Sequence, residues 1–99
     1  MNGFRISNAA MNDLREIAAY TERTWGGQQR REYLRLVDEA FNLLANNPSL
    51  GSHCDYIAEN LRKYPCRSHV VYYELDPPGI FVIRVLHRKM DVSAAIGCS

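Results

Sequence analysis

The spacing of apolar residues along this chain predicts a short strand, two helices and then a set of strands. At the start, Phe4-Arg5-Ile6 alternates apolar and charged side chains, as a short strand lying on a core does. Ser7 or Asn8 follows with a side-chain oxygen that can cap the N-terminus of a helix. The chain is therefore expected to begin with a strand that leads directly into a helix.

Two stretches with apolar residues at three- and four-residue steps predict the two helices. Gly26-Gly27 ends the first, because glycine adopts the left-handed conformation of a helix C-terminus without steric cost. The second should begin near Gln28 and end at Asn46-Asn47-Pro48, since proline cannot continue the helical hydrogen bonds. The short turn makes the pair an antiparallel hairpin. The predicted apolar faces comprise Ala10, Leu14, Ile17, Ala18, Thr21 and Trp25 in the first helix, and Tyr33, Leu36, Val37, Ala40, Phe41 and Leu44 in the second.

Beyond an irregular connection at residues 47–60, β-branched and aromatic runs predict a sheet. Leu61–Arg67 is expected to pair with Val70–Leu75 through a turn at Ser68-His69. Asp76-Pro77-Pro78-Gly79 predicts a second turn, into a last strand that contains Ile80-Phe81-Val82-Ile83.

Two further features complete the expected sheet and the end of the chain. Pro65 lacks an N–H donor, so its strand is expected to lie at an edge or to carry a bulge there. Residues 90–96 are expected to form a short helix or an extended tail. The resulting order of strand, helix, helix and three strands predicts an α+β fold, with a helical hairpin packed on a small, mainly antiparallel sheet.

Length and composition limit the possible architecture and function. The chain has 99 residues, of which 46% are hydrophobic, and we predict a single domain over residues 1–99 with one core and no deep substrate cavity. The formal net charge of +1 conceals an asymmetry, because residues 61–99 carry four Arg and two Lys against three acidic residues. This balance does not fit a protein that coats nucleic acid, but it predicts a basic face on the C-terminal part.

The sequence favours a cytoplasmic location. Its first residues show no signal peptide, and no apolar run approaches the ~18 residues that a membrane span needs. The three cysteines, Cys54, Cys66 and Cys98, are odd in number and lack CxxC spacing, so free thiols in a reducing compartment are expected.

The densest polar cluster is Arg84 with His87-Arg88-Lys89, at the end of the last predicted strand. One hypothesis is a ribonuclease site, with His87 as general acid or base and Arg62, Arg67 or Arg84 stabilising the charge that develops on phosphate. The alternative is a solvated sheet face on which Arg84 pairs with Glu74 across two strands. The second interpretation is favoured, because basic residues beside a single histidine are common on protein surfaces.

Two other groups of residues could be taken for a metal site or a binding site, and we interpret neither group in that way. His53, Cys54, Cys66 and His69 have side chains that suit zinc, but adjacent His53-Cys54 fits no compact zinc motif, so we predict no metal and no cofactor. The aromatic residues of the helices are expected to form core and hairpin contacts, with Trp25 packing the corner of the hairpin. These aromatic residues are Tyr20, Trp25, Tyr33 and Phe41.

The order and spacing of several short motifs resemble the ParE-type toxins of the ParE/RelE toxin–antitoxin superfamily over nearly the whole chain. The motifs are Ser7, Ala10 and Asp13-Leu14, Tyr20, Trp25-Gly26, Pro48 with Gly51, Leu61-Arg62, Ser68-His69-Val70-Val71-Tyr72-Tyr73 and Arg84-Val85-Leu86-His87-Arg88-Lys89-Met90-Asp91. The resemblance implies a helical hairpin on a small, largely antiparallel sheet. It also implies the toxin of a type II toxin–antitoxin system, with plasmid or chromosome stability and growth arrest as its biological setting.

Within this superfamily the resemblance implies a target as well. RelE-like members cut messenger RNA on the ribosome with basic residues and a Tyr or His near the C-terminus, whereas ParE-like members bind DNA gyrase so that cleaved DNA accumulates. This chain has no Tyr after Tyr73, and its ending from Leu86 to Asp91 resembles the ParE type. The expected protein is therefore a non-enzymatic gyrase inhibitor with no catalytic residues.

The resemblance further implies a ParD-like antitoxin that folds across the toxin, with operator DNA bound only through the antitoxin. Expected antitoxin contacts are Arg62, Arg67, Arg84 and Arg88, and expected target contacts are His87, Arg88, Lys89 and Met90. Two alternatives stay open. The chain could be a RelE-like ribosome-dependent endonuclease that uses Arg62, Arg84 and His87, or an inactive toxin-like partner module.

Overall fold

The computed structural model describes residues 3–96, apart from the side chains of residues 93 and 94, and it confirms the predicted α+β fold. The helical hairpin packs on one face of a five-stranded sheet whose strand order is β1-β5-β4-β3-β2. All pairings are antiparallel except that of β1 with β5. The elements are β1 (Phe4–Ile6), α1 (Asn8–Trp25), α2 (Gly27–Asn46), a 3-10 helix (Pro48–Leu50), β2 (Ser52–His53), β3 (Arg62–Cys66), β4 (His69–Asp76), β5 (Gly79–His87) and α3 (Val92–Ile96).

The start of the chain follows the sequence pattern closely. Ser7 caps α1, because its hydroxyl accepts a hydrogen bond of 2.9 Å from the Ala10 N–H. The same hydroxyl donates to the Ile83 carbonyl of β5 at 2.7 Å, and so fixes the start of the helix against the sheet. Gly26 has a φ of 96° between the helices, a conformation that few other residues adopt, and it allows α2 to begin at Gly27.

The connection at residues 47–60 differs from a purely irregular loop. It contains the 3-10 helix and the two-residue strand β2, neither of which has a distinct apolar period in the sequence. Tyr73 of β4 fixes this segment through two hydrogen bonds. Its hydroxyl donates to the Pro48 carbonyl and accepts from the Gly51 N–H, each at 2.8 Å. A buried tyrosine thus satisfies two backbone groups that packing alone would leave unpaired.

The two predicted turns of the sheet are present, with one shift. Pro77-Pro78 joins β4 to β5, as expected. The other turn lies at residues 67–68, and His69 is the first residue of β4 instead of part of the turn. Pro65 lies at an edge, as predicted, because β2 pairs only with Arg62 and Lys63 of the neighbouring strand.

Apolar side chains cover both faces of the sheet, which differs from the single core expected from length. The larger cluster lies under the helices and includes Phe41, Leu44 and Tyr73. The smaller cluster forms on the other face, where residues 54–61 and α3 pack against Tyr72 and Leu86. None of the helices within the described part of the chain is long and apolar enough to cross a membrane. Cys54 and Cys66 are buried free thiols, and Cys98 lies outside the described residues.

Candidate partner-binding groove

An open groove of about 980 Å³ lies where the hairpin passes the C-terminal end of β5. Its walls come from α1, α2, the β3–β4 turn and the segment after β5. The residues that bear on function are Tyr20, Trp25, Tyr33, His69, His87 and Met90. The groove therefore combines aromatic, apolar and imidazole side chains from distant parts of the sequence.

The upper wall of the groove is an exposed apolar rim, which we define as Tyr20, Trp25 and Met90. Their exposed fractions are 59%, 69% and 51%. The prediction that Tyr20 and Trp25 pack inside the hairpin is thus wrong, whereas Phe41 is buried in the core as expected. Tyr20 lies on an exposed side of α1, next to the exposed Ala19. Trp25 is exposed because α1 leaves the core after Thr21, and every residue from Glu22 to the end of the helix is exposed. Exposed aromatic side chains on a concave surface are typical of protein-binding sites.

Two histidines meet in the floor of the groove because of a bulge in the sheet. Ile83 is the extra residue in β5, and the bulge moves the pairing with β4 by one position. A regular ladder from the Pro77-Pro78 turn would place Leu86 opposite His69, but the bulge places His87 there. The two imidazole rings make an edge-to-face contact with their centroids 5.4 Å apart.

Hydrogen bonds fix the orientation of both rings. The Tyr33 hydroxyl accepts from the Ser68 N–H at 3.2 Å, and it lies 2.6 Å from Nδ1 of His69 and 3.5 Å from the Cys66 carbonyl. Nδ1 of His87 accepts from the Lys89 N–H at 3.2 Å. Each ring is therefore held through its Nδ1 atom.

Burial of His69 affects its protonation. Burial lowers the pKa of His69, the nearby His87 lowers it further, and Asp13 acts in the opposite direction. Burial also raises the pKa of the Tyr33 hydroxyl, which therefore stays a donor at neutral pH. In the isolated protein, His69 is accordingly a neutral imidazole at pH 7.

Basic residues adjoin the groove in sequence, next to its lining residues Ser68 and His87. Arg67 lies in the β3–β4 turn, and Arg88-Lys89 follows the end of β5; all three are exposed. The Arg88 N–H donates to the Ser68 carbonyl at 3.0 Å, which holds the two segments side by side. The structure therefore brings together Arg67, Arg88 and the predicted target segment from His87 to Met90 at one end of the sheet.

Arg84 lies apart from this group and holds three elements together. Its guanidinium forms a bidentate ion pair with Asp13 of α1, with Nε–Oδ2 and Nη2–Oδ1 distances of 2.7 and 2.9 Å. Its Nη1 donates to the Ala95 carbonyl of α3 at 2.8 Å. Asp13 also accepts from the Val85 N–H at 3.0 Å, at the edge of β5 that continues beyond β1. The pair with Asp13 raises the pKa of Arg84, so its charge is retained at any ordinary pH.

The predicted pair between Arg84 and Glu74 is wrong. The Pro77-Pro78 turn sets a register in which Glu74 lies opposite Phe81, and beyond the bulge Arg84 lies opposite Tyr72. The carboxylate that binds Arg84 instead comes from Asp13, in the first helix.

Arg62 lies at the other end of β3, about 13 Å from the turn at ~3.3 Å per residue. Its Nη1 donates to the carbonyls of Gly51 and Ser49 at 2.8 and 3.3 Å, and its Nη2 lies 3.3 Å from Nε2 of His53. The three residues of the nuclease hypothesis, Arg62, Arg84 and His87, are therefore not brought to one place.

The side chains considered for zinc are also dispersed. Cys66 pairs with His69 across β3 and β4, whereas His53-Cys54 lies at the start of the segment that covers the opposite face. Within residues 3–96, no three His, Cys, Asp or Glu side chains are grouped so that they could hold a metal ion. Burial raises the pKa of the Cys66 thiol, so the thiolate that zinc requires is disfavoured there.

A family comparison agrees with the arrangement of these elements. The sequence model of a family described as the ParE toxin of the type II toxin–antitoxin system parDE matches residues 4–92. The chain belongs to the ParE toxin family. The match covers β1, the hairpin, the whole sheet and the exit from β5, and so includes every residue of the groove discussed above.

Individual relatives support this family membership. Toxin ParE1 of Mycobacterium tuberculosis is 40% identical over 90 residues, which cover 90% of this chain and 92% of the relative. Toxin ParE1 of Caulobacter vibrioides is 32% identical over 97 residues, which cover 98% of this chain and all of the relative. A chain in the solved structure of a chromosomal ParDE toxin–antitoxin system from P. aeruginosa shares the fold, with a TM-score of 0.74 over 88% of this chain and 96% of that chain at 14% identity.

The histidine pair and the ion pair of this toxin have only weak signals in its sequence. Counted from the Pro77-Pro78 turn, a regular ladder places His69 opposite Leu86, one position before His87. This proximity could have indicated a contact between the two histidines. Asp13 offered a different signal, since it is an acidic residue on the otherwise apolar face of α1. An acidic side chain at such a position requires a partner, and Arg84 provides it.

Proposed function

We propose that this toxin binds DNA gyrase without an enzymatic step of its own, so that cleaved DNA accumulates, and that a ParD-like antitoxin neutralises it. The observation that carries this proposal is the ion pair of Arg84 with Asp13. Cleavage of a phosphodiester needs cationic groups at the phosphate together with a positioned acid and base. Arg84 is occupied by Asp13 and by a backbone carbonyl, and Arg62 is bound to carbonyls at the far end of β3.

The arrangement of the groove supports binding as the mode of action. The apolar rim lines the groove, and the basic residues Arg67, Arg88 and Lys89 lie next to its lining residues Ser68 and His87 in the sequence. We assign the target contact to the segment from His87 to Met90, and the antitoxin contact to the groove with Arg67 and Arg88. Because the two assigned surfaces overlap, an antitoxin bound in the groove would exclude the target. Binding of operator DNA would then take place through the antitoxin alone.

The decisive experiment is induction of the toxin alone in bacteria, followed by a supercoiling assay with purified gyrase. A gyrase inhibitor should trigger the DNA-damage response and filamentation, and should increase the amount of cleaved DNA in vitro. Normal growth together with unaffected supercoiling would reject the proposal and indicate an inactive partner module.

The histidine pair favours a second candidate, a RelE-like ribosome-dependent endonuclease. His69, His87 and Tyr33 place two imidazoles and a phenol together in a groove with basic residues nearby, and imidazoles are the commonest acid–base catalysts. A nuclease would stop translation and trim ribosome-bound message, and the change His87→Ala should then abolish cutting. Cleavage of message with unaffected gyrase would replace the first proposal by this one.

Reversing the charge at Arg67 and Arg88 tests the assigned antitoxin surface. We expect R67E/R88E to weaken antitoxin binding at least about tenfold, chiefly through a slower association rate, because rim charges steer an oppositely charged partner. Surface plasmon resonance at two salt concentrations would measure the rates. Arg15→Glu provides the control, since Arg15 is exposed on the other side of α1, beside a separate apolar pocket. Equal affinity of R67E/R88E and the wild type would reject the assignment.

A further inference from the structure

The histidine pair lies between two surfaces that the proposed function already uses, yet that function assigns it no role. On one side is the apolar rim of Tyr20, Trp25 and Met90, and on the other are exposed basic residues. Nδ1 of each imidazole is already hydrogen-bonded. Both of these contacts are made by Nδ1 and not by Nε2. In the imidazolium form each Nε2 carries a proton, so the protonated pair offers two N–H donors, about one ring contact apart, to whatever occupies the groove.

Asp13 and Glu16 line the groove beside the pair, and exposed basic residues adjoin it in the sequence. Asp13 is bound to Arg84 and to the Val85 N–H, and Glu16 is exposed. The titratable groups that line the groove with the pair are Asp13, Glu16 and Tyr20 from α1 and Tyr33 from α2. Next to the pair in the sequence lie Arg67 in the β3–β4 turn and Arg88, Lys89 and Asp91 after β5.

We propose that His69 and His87 form a subsite for a carboxylate of the antitoxin. The same antitoxin segment would lay apolar side chains against the rim of Tyr20, Trp25 and Met90, so its acidic residue is flanked by apolar ones. The proposal rests on the antitoxin partner proposed above and adds the chemistry of one contact within it. A carboxylate can accept from both Nε2–H groups at once, which a neutral amide oxygen does less strongly.

This contact links antitoxin binding to proton uptake. In the free toxin, burial and the neighbouring imidazole favour the neutral form of His69. A carboxylate against the rings favours the imidazolium form of His69 and raises its pKa in the complex. The bound state therefore takes up a proton, and affinity rises as the pH falls from above the pKa in the complex to below the pKa in the free toxin. Asp and Glu carboxylates remain ionised above about pH 5, so the ligand stays charged over this range.

Calorimetry with the antitoxin encoded beside this toxin tests the subsite. Titrations at pH 6, 7 and 8, in two buffers that differ in ionisation enthalpy, measure both the affinity and the number of protons taken up. We expect binding at least about tenfold tighter at pH 6 than at pH 8, since each unit of pKa shift corresponds to a factor of ten. Net proton uptake near pH 7 should accompany it.

Histidine variants make the test specific. H69Q/H87Q should remove both the pH dependence and the proton uptake. His87→Gln alone should reduce them, and it keeps the test valid if the double variant folds poorly, because His87 is exposed and His69 is half-buried. His53→Gln is the matched control and should behave as the wild type, since His53 lies on β2 and is the remaining histidine of the chain.

Three outcomes would overturn the subsite. The first is equal affinity at pH 6 and pH 8 without proton uptake, and the second is a pH dependence that persists unchanged in both the His87→Gln and the double variant. The third is complex formation at no pH, and this alone would also remove the antitoxin partner from the proposed function. A complex that forms with an affinity independent of pH would reject the subsite but would not affect the proposed function.

Discussion

Replacing Asp13 by alanine is expected to lower the free energy of unfolding by about 3 to 5 kcal/mol, because it leaves a largely buried guanidinium without its counter-charge. The Asp13 carboxylate is 7% exposed and accepts three hydrogen bonds, two from Arg84 and one from the Val85 N–H. Removing it also leaves that backbone N–H unpaired at the edge of β5. Urea denaturation followed by circular dichroism would measure the loss.

Two further variants provide comparisons for the loss of stability expected in Asp13→Ala. Glu39→Ala removes the carboxylate of an exposed ion pair with Arg35 on α2, and such exposed pairs contribute little to stability. Asp13→Asn keeps an oxygen that can accept from Val85 but removes the charge, so its effect should lie between the other two. If Asp13→Ala destabilised the protein no more than Glu39→Ala, the bridge would not hold α1, β5 and α3 together as described.

Replacing Trp25 by alanine is expected to weaken antitoxin binding by about 2 kcal/mol or more, roughly 30-fold, while the fold keeps its stability. The side chain is 69% exposed at the end of α1, so its removal leaves no cavity in the core. In a complex, an indole at the rim of a groove can bury its whole apolar surface, and tryptophan is among the residues that dominate interface energies. Isothermal titration and thermal unfolding of the same sample would separate the two effects.

Tyr56 offers the matched control for this experiment. It is 70% exposed and lies on the segment between β2 and β3, where its hydroxyl accepts from the Lys63 ammonium at 3.1 Å. Tyr56→Ala removes a similar exposed aromatic surface outside the groove, and we expect the affinity to stay within about twofold of the wild type. Equal behaviour of the Trp25 and Tyr56 variants would show that the rim does not anchor the antitoxin.

Local sequence signals were sufficient for most of the fold. The hydroxyl of Ser7, the glycine pair at 26–27 and the Pro77-Pro78 turn each determine backbone geometry within a few residues, and each prediction from them is confirmed. The strand β2 was missed because two residues are too few to show a period. Local sequence patterns therefore could not predict elements whose formation depends on residues distant in the sequence.

The groove was predicted less well, for two physical reasons. The helical period places Trp25 on the same face as Ile17, but it carries no information on where the sheet beneath that face ends. An exposed surface that continues the apolar face of a helix beyond the core thus shows the same spacing of apolar residues as the core itself. The histidine pair depends on a single extra residue at Ile83, and a shift of one position changes which side chains of two strands meet.

Pro65 has a consequence for the open edge of the sheet. It is exposed on the part of β3 that β2 does not cover, where an open strand edge would otherwise invite a second copy to pair with it. Because proline provides no donor, a growing ladder is interrupted there. The opposite edge strand is the short β1, and beyond it the start of α1 occupies hydrogen-bonding groups of β5. Both features disfavour the pairing of a second copy along these edges.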